Sequence, residues 1–239
     1  MLIQHDGYQL FPESYKACVI GAGGAIGAAF YQAFQADPQC VFVKAISQSL
    51  GDDFDLEKTD SIGHQASLVK SEGPYNIIID ATGVLTINNI GPEKSLAALT
   101  ASHLLKALHL NAVAPAIVLQ QFAPLLAPGS SIYAKLSARV GSISDNKKGG
   151  WYGYRASKAA LNMFLQTAAI ELQRKNPELK IFALQPGTVK SKLSQPFALA
   201  VPNLLEPSLS VAGMLSAMKN STIKSGAHFI DYQGNTIEW

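Results

Sequence analysis

Cysteine is nearly absent: Cys18 and Cys40 are the only two in 239 residues, and both lie in apolar stretches. Two thiols make no disulfide scaffold, and no metal-type pairing of cysteines exists. Reduced, buried thiols in a cytoplasmic protein are therefore expected. Charge is also scarce, at 15% of residues against roughly 25% in an average soluble domain. That scarcity suggests surface covered again by a partner subunit or a ligand. Neither sign dominates: Lys and Arg number 19 against 17 Asp and Glu, for a net charge of +2. Without a basic block there is no nucleic-acid footprint. None of the five histidines, at positions 5, 64, 103, 109 and 228, makes a zinc spacing, so no metal is expected. A G-x-S-x-G hydrolase elbow is missing. Residues 1–6 lack the basic and apolar regions of a signal peptide. The most apolar stretch, 110–128, is interrupted by Asn111, Pro115, Gln120, Gln121 and Pro124, so no membrane span is expected.

Hydrophobic residues make up 48% of the chain, enough for one sizeable core and against global disorder. Short apolar runs alternate with longer alanine-rich segments. Strands are predicted at 15–20, 41–46, 76–80, 130–136, 181–184 and 227–231, with a very short one at 54–56. Helices are predicted at 25–36, 61–70, 96–126 (Pro115 inside it), 152–175 and 209–219. Runs that are apolar throughout fit strands buried on both faces. The alternation predicts an α/β fold: a single doubly wound Rossmann-type domain, with a mostly parallel central sheet and helices on both faces. Residues 15–190 would be the cofactor-binding core and 191–213 a substrate flap, since 195–207 is the longest irregular piece.

Two patterns carry chemistry. The first strand runs into a loop containing Gly21, Gly23, Gly24, Ala25, Ile26 and Gly27. Small residues there let backbone N–H groups approach a pyrophosphate at a helix N-terminus. Ile26 replaces the last glycine of G-x-G-x-x-G, and no lysine follows Gly27, so neither that fingerprint nor a P-loop fits. What fits is G-x-x-x-[GA]-x-G. The second pattern is Tyr154-xxx-Lys158, a spacing that stacks both side chains on one helix face. An ammonium beside a phenol would lower the phenol's pKa and suit it to exchange a proton with an alcohol or carbonyl.

Further motifs stand in order: Asp80-Ala81-Thr82-Gly83, Asn111, 137–142 (SARVGS), 149–162 around Tyr154 and Lys158, and 186–191 (PGTVKS). With them the chain resembles the short-chain dehydrogenase/reductase family over nearly its full length, closest to its C-factor-like and sniffer-type carbonyl reductase branch. The resemblance implies hydride transfer between a nicotinamide cofactor and a carbonyl or alcohol. Tyr154 would be the general acid/base. Lys158 would hold the nicotinamide ribose and tune Tyr154, while Asn111 would anchor a water relaying protons to Lys158. Ala81, Thr82 and Gly83 would approach the cofactor closely; Pro186, Gly187, Val189 and Ser191 would line the nicotinamide site; Asp55 and Leu56 would flank adenine. The protein positions and tunes, while the cofactor carries the hydride.

The family's usual catalytic serine position is occupied by Ala138. Ser142, Ser137 or no serine assists; strand alternation favours Ser142. At the end of the second strand, where an NAD-selective site needs a carboxylate, the sequence has Ser47, Gln48 and Ser49. Their donors suit a 2′-phosphate, which predicts a modest preference for NADP(H) over NAD(H). The segment between the second and third strands, 47–53, is very short, so the family's usual helix is expected to be missing there and the adenine side open. Ala159, Ala160, Met163, Phe164, Thr167 and Ala168 form a small or apolar helix face that predicts a homodimer or homotetramer. Partners would be a small carbonyl or alcohol substrate, with no nucleic acid and no membrane. Ala138 and the C-factor likeness also motivate another reading: a cofactor-binding signalling or interaction protein with little or no catalysis.

Overall fold

A computed structural model describes residues 8–191, 194–195 and 204–239. Six strands form one parallel sheet: β1 (Tyr15–Ile20), β2 (Cys40–Ile46), β3 (Ile77–Asp80), β4 (Ser131–Leu136), β5 (Leu179–Gln185) and β6 (His228–Asp231). Their spatial order is β2-β1-β3-β4-β5-β6. The helices are α1 (Ala25–Ala36), α2 (Thr59–Val69), α3 (Ala101–Leu108), α4 (Ala114–Phe122), α5 (Tyr152–Gln173) and α6 (Pro207–Asn220).

Side chains alternate across each strand, and both faces are covered. Cys18, Ile20, Ile78, Tyr133, Ile181 and Ala183 pack with Ile62 and Val69 of α2, Val118 and Phe122 of α4, and Leu161 and Leu165 of α5. Ala17, Val19, Ile77, Ile79, Ile132, Phe182 and Leu184 pack with Phe30 and Phe34 of α1 and Val211, Met214 and Met218 of α6. This double burial is why the strands read as unbroken apolar runs.

The expected strand at 54–56 does not form. Residues 48–50 make a 3₁₀ turn instead, and the Phe54 N–H is spent on Asp52 O. β2 is therefore an edge strand, and the wall that a further strand and helix would build beside it is absent. The stretch 96–126 is helical but not uniformly so: α3 and α4 are joined by a π-helical turn, His109–Val113. Pro115 brings no N–H for the carbonyl four residues earlier, and such wide turns accommodate the lost bond. This helical stretch is long and apolar enough to cross a membrane by length and composition, yet Ala107, Leu110, Val118 and Phe122 are buried in this fold. Of the expected flap, 192–193 and 196–203 lie outside the described residues; 207–213 belongs to α6.

Candidate active site

The glycine loop connects β1 to the N-terminus of α1, where Gly24 is the cap residue and the first turn holds no acid. Its backbone N–H groups and helix dipole favour an anion. A Cβ on Gly27 would lie 2.1 Å from Gly21 O, and one on Gly23 would lie 1.8 Å from Ser49 Oγ. Side chains are thus excluded where helix, loop and β2 end converge.

A cavity of about 560 Å³ opens at the C-terminal ends of the strands. One wall is the glycine loop, residues 23–27; the floor includes Ala81, Thr82 and Gly83; the far side carries Pro186, Gly187, Val189 and Ser191. Tyr154 and Lys158 face it from α5. Gly21 braces the loop from below, its N–H donating to Ile46 O. The remainder of the lining is largely apolar: Leu85, Leu136, Ala138, Val140 and Trp151, with Arg139, Gln185, Thr188, Ser137 and Ser194 as polar exceptions. Sequence reasoning missed most of these. Trp151, next to the Tyr-Lys segment, was the one with a local signal; its ring meets Tyr154 edge-on at 6.1 Å. Arg139 is engaged by Asp145 and Asp231.

Lys158 Nζ sits 5.7 Å from the Tyr154 ring centroid and donates to Leu136 O at 3.1 Å. Burial, then the charge of Lys135, pushes its pKa down to about 7, with Asp80 pulling the other way. Tyr154 moves opposite to expectation: burial pushes its phenol up. The lysine's hydrogen bond goes to a carbonyl rather than to the phenol, and the desolvation cost of a phenolate outweighs the attraction. Tyr154 is a protonated phenol at neutral pH.

Asn111 falls in the π-helical turn, where its amide grips Val84: Oδ1 accepts from the Val84 N–H at 2.8 Å and Nδ2 donates to Val84 O at 2.9 Å. It also lies beside Gly83, as Lys158 does. Ser142 is not brought to the cavity. Alternation ends with β4 at Leu136, residues 139–141 form a 3₁₀ turn, and the buried Ser142 Oγ accepts from the Asp145 N–H. Ser137 does reach the lining, but its hydroxyl donates to Asn162 Oδ1 at 2.6 Å.

Ser47, Gln48, Ser49, Asp55 and Leu56 stand outside the cavity lining. Ser47 and Ser49 lie beside Gly23, their hydroxyls 2.9 Å apart. Asp55 N–H donates to Ser61 Oγ, and Leu56 O meets His109 Nε2 at 3.0 Å. The turn also contains a carboxylate that the sequence reading overlooked. Asp52 Oδ2 accepts from the Ser47 N–H at 2.8 Å, because the 3₁₀ turn folds Asp52 back onto the end of β2. The turn expected to offer only the donors of Ser47, Gln48 and Ser49 thus also holds a carboxylate.

A second carboxylate positions α5. Trp151, at its N-cap, offers no side-chain cap. Buried Glu93 replaces it: Oε2 accepts from the Gly153 N–H at 2.9 Å and its backbone carbonyl from the Trp151 N–H at 2.6 Å.

The sequence model of the short chain dehydrogenase family matches residues 15–200. The chain belongs to this family. One relative of this short-chain dehydrogenase is C-signal of Myxococcus xanthus, 31% identical over 170 residues, 70% of this chain and 94% of the relative. The same fold is found in the NADPH-bound carbonyl reductase from chicken fatty liver, with a TM-score of 0.81 and 22% identity, covering 98% of this chain and 97% of that one. It recurs in the carbonyl reductase Sniffer of D. melanogaster, TM-score 0.78 and 19% identity, covering 95% and 100%. The residues present fit a dinucleotide: a side-chain-free cradle at Gly23 and Gly27, an acid-free helix N-terminus, and a cavity reaching from there to Tyr154.

Proposed function

We propose that this oxidoreductase reduces an apolar aldehyde or ketone with NADP(H), Tyr154 acting as the proton donor. The observation that carries the reading is Tyr154 and Lys158 facing one cavity with the glycine loop on its opposite wall. Residues 23–27 would hold the pyrophosphate; Gly83, Pro186, Gly187, Val189 and Ser191 would line the nicotinamide end. When bound, the nicotinamide cofactor supplies the hydride to the carbonyl carbon. Tyr154 gives its proton to the carbonyl oxygen, so the product is the alcohol. Lys158, with Asn111 placing a water beside it, returns a proton to Tyr154. Burial keeps Tyr154 in the protonated form that reduction requires, and the alkoxide formed as the hydride arrives is basic enough to take that proton. Ala138, Leu136 and Val140 give the substrate an apolar wall without a serine hydroxyl.

Purified protein should oxidise NADPH with at least one member of a broad aldehyde and ketone panel. Tyr154→Phe should lower turnover by about a hundredfold or more while cofactor fluorescence titration stays unchanged. Activity retained in that variant would overturn the mechanism. NADPH binding without turnover across the panel would instead favour the signalling or interaction reading.

We also propose self-association through α3, the π-helical turn and α5. Leu105, Leu108, Val113, Ala160 and Phe164 line an apolar groove on that face, and Leu105, Met163 and Phe164 are exposed there.

A further inference from the structure

Two charged side chains are buried beneath Lys158. Asp80 and Lys135 are register partners on β3 and β4, and both are almost fully hidden from solvent. Lys135 Nζ donates to Asp80 Oδ1 at 2.9 Å, to Thr82 O at 2.7 Å and to Thr82 Oγ1 at 2.8 Å. Those contacts use all three ammonium hydrogens. Thr82 closes the knot, donating its N–H and hydroxyl to the same carboxylate oxygen at 2.9 and 2.6 Å. The other oxygen, Asp80 Oδ2, and the Tyr133 hydroxyl are both buried without a hydrogen bond of good geometry, yet the two groups interact: after burial, the Asp80 carboxylate helps hold the Tyr133 phenol up. Attraction within a buried pair barely offsets its desolvation, so stability alone does not account for two charges hidden at the centre of the sheet.

What the knot holds is the turn under Lys158. With Thr82 pinned, Gly83 adopts φ +145°. The position its Cβ would take is 3.5 Å from Lys158 Nζ and 3.4 Å from Asn111 Oδ1. Leu136, whose carbonyl accepts from Lys158, directly follows Lys135 in β4. The titratable groups around Lys158 are Asp80 on β3, Lys135 on β4 and Tyr154 one turn earlier on α5.

We propose that the Lys135–Asp80 pair is a positioning device for Lys158, fixing the Thr82–Gly83 turn against it and setting the field in which its ammonium works. The proposal builds on the assignment of Lys158 to the reaction. The two charges act on Lys158 in opposite senses: Lys135 makes its proton easier to lose, and Asp80 harder.

Lysine ¹³Cε NMR titration of the full chain without cofactor tests this, with Lys158→Met identifying the resonance. Asp80→Asn should lower the Lys158 midpoint and Lys135→Met should raise it, each by about one unit; the double variant should return close to the parent. If Lys135→Met does not fold, comparing Asp80→Asn with the double variant isolates Lys135 without a buried lone carboxylate, and the shift must be upward. The alkaline limb of NADPH-dependent turnover, where Lys158 loses the proton it must supply, should move with these midpoints. A purely structural pair would loosen the turn and lower turnover without opposed shifts. Midpoints that stay put, or move the same way on removing either charge, overturn the proposal. Opposed shifts in a protein that reduces no carbonyl would uphold the coupling and refute only the assigned reaction.

Discussion

At Lys158, burial and reactivity are the same fact. The side chain is 3% exposed, and its pKa of about 7 lies below the ordinary lysine value of 10.5. Between those values the unfolded chain binds the proton and the folded chain does not, so stability rises with pH through that window. Below about pH 7 both states carry the charge and the burial cost is felt in full. Unfolding free energies from urea titrations between pH 7 and 8.5 should rise by up to about 1.4 kcal/mol per pH unit, and Lys158→Met should flatten the rise. On the proposed NADP(H) assignment, with the 2′-phosphate received at the Ser47–Ser49 turn, the Asp52 carboxylate on the Ser47 N–H would set negative charge beside it. Asp52→Asn should therefore tighten NADPH relative to NADH in fluorescence titrations, by about tenfold or less, and Ser47→Asp should reverse the preference. Tighter NADH than NADPH binding in the parent chain would refute the NADP(H) assignment.

Among the elements, α5 depends most on a distant residue. Its first turn carries Tyr154, yet its N-terminal donor at Gly153 is satisfied by a side chain 60 positions upstream. Glu93→Ala should leave that buried N–H unpaired, costing about 2 kcal/mol. Turnover should fall more than NADPH affinity, since Tyr154 shifts while the glycine loop is untouched. Glu93→Gln keeps an acceptor and should restore most of both, as read by denaturation midpoint and kcat. The α3–α4 segment illustrates what local patterning leaves open. Pro115 is visible as a disturbance inside an apolar helix; that the disturbance takes the form of a π-turn presenting Asn111 to Val84 depends on the loop after β3 packing against it.

The whole molecule is a sheet covered on both faces but exposed at the β2 edge, with a second exposed apolar area on α3, the π-helical turn and α5. Leu105 and Met163 are 66% and 65% exposed, more than isolated apolar residues need explanation for, because they lie with Phe164 on one face. Phe164→Glu should convert a sedimenting oligomer to monomer at micromolar concentration while preserving the thermal transition. A parent chain that sediments only as monomer would refute the proposed interface.

The sequence by itself determined the parallel sheet, since runs such as 77–79 and 181–184 are apolar at every position and only a doubly covered strand needs that. It also determined the glycine loop and the Tyr154–Lys158 face, because both are short local patterns whose geometry follows from backbone sterics and helical spacing. Tertiary structure alone decided the rest. Ser142 left the site when a 3₁₀ turn ended the strand, and Asp52 came to the end of β2 when another turn folded back. Glu93 met α5 across 60 residues, and Asp80 met Lys135 across two strands 55 residues apart. Lys135 was legible as a charge inside the strand Ser131–Leu136, but its partner was not. Pairing between distant residues is set by sheet order and register, and those are properties of the packed chain rather than of any window within it.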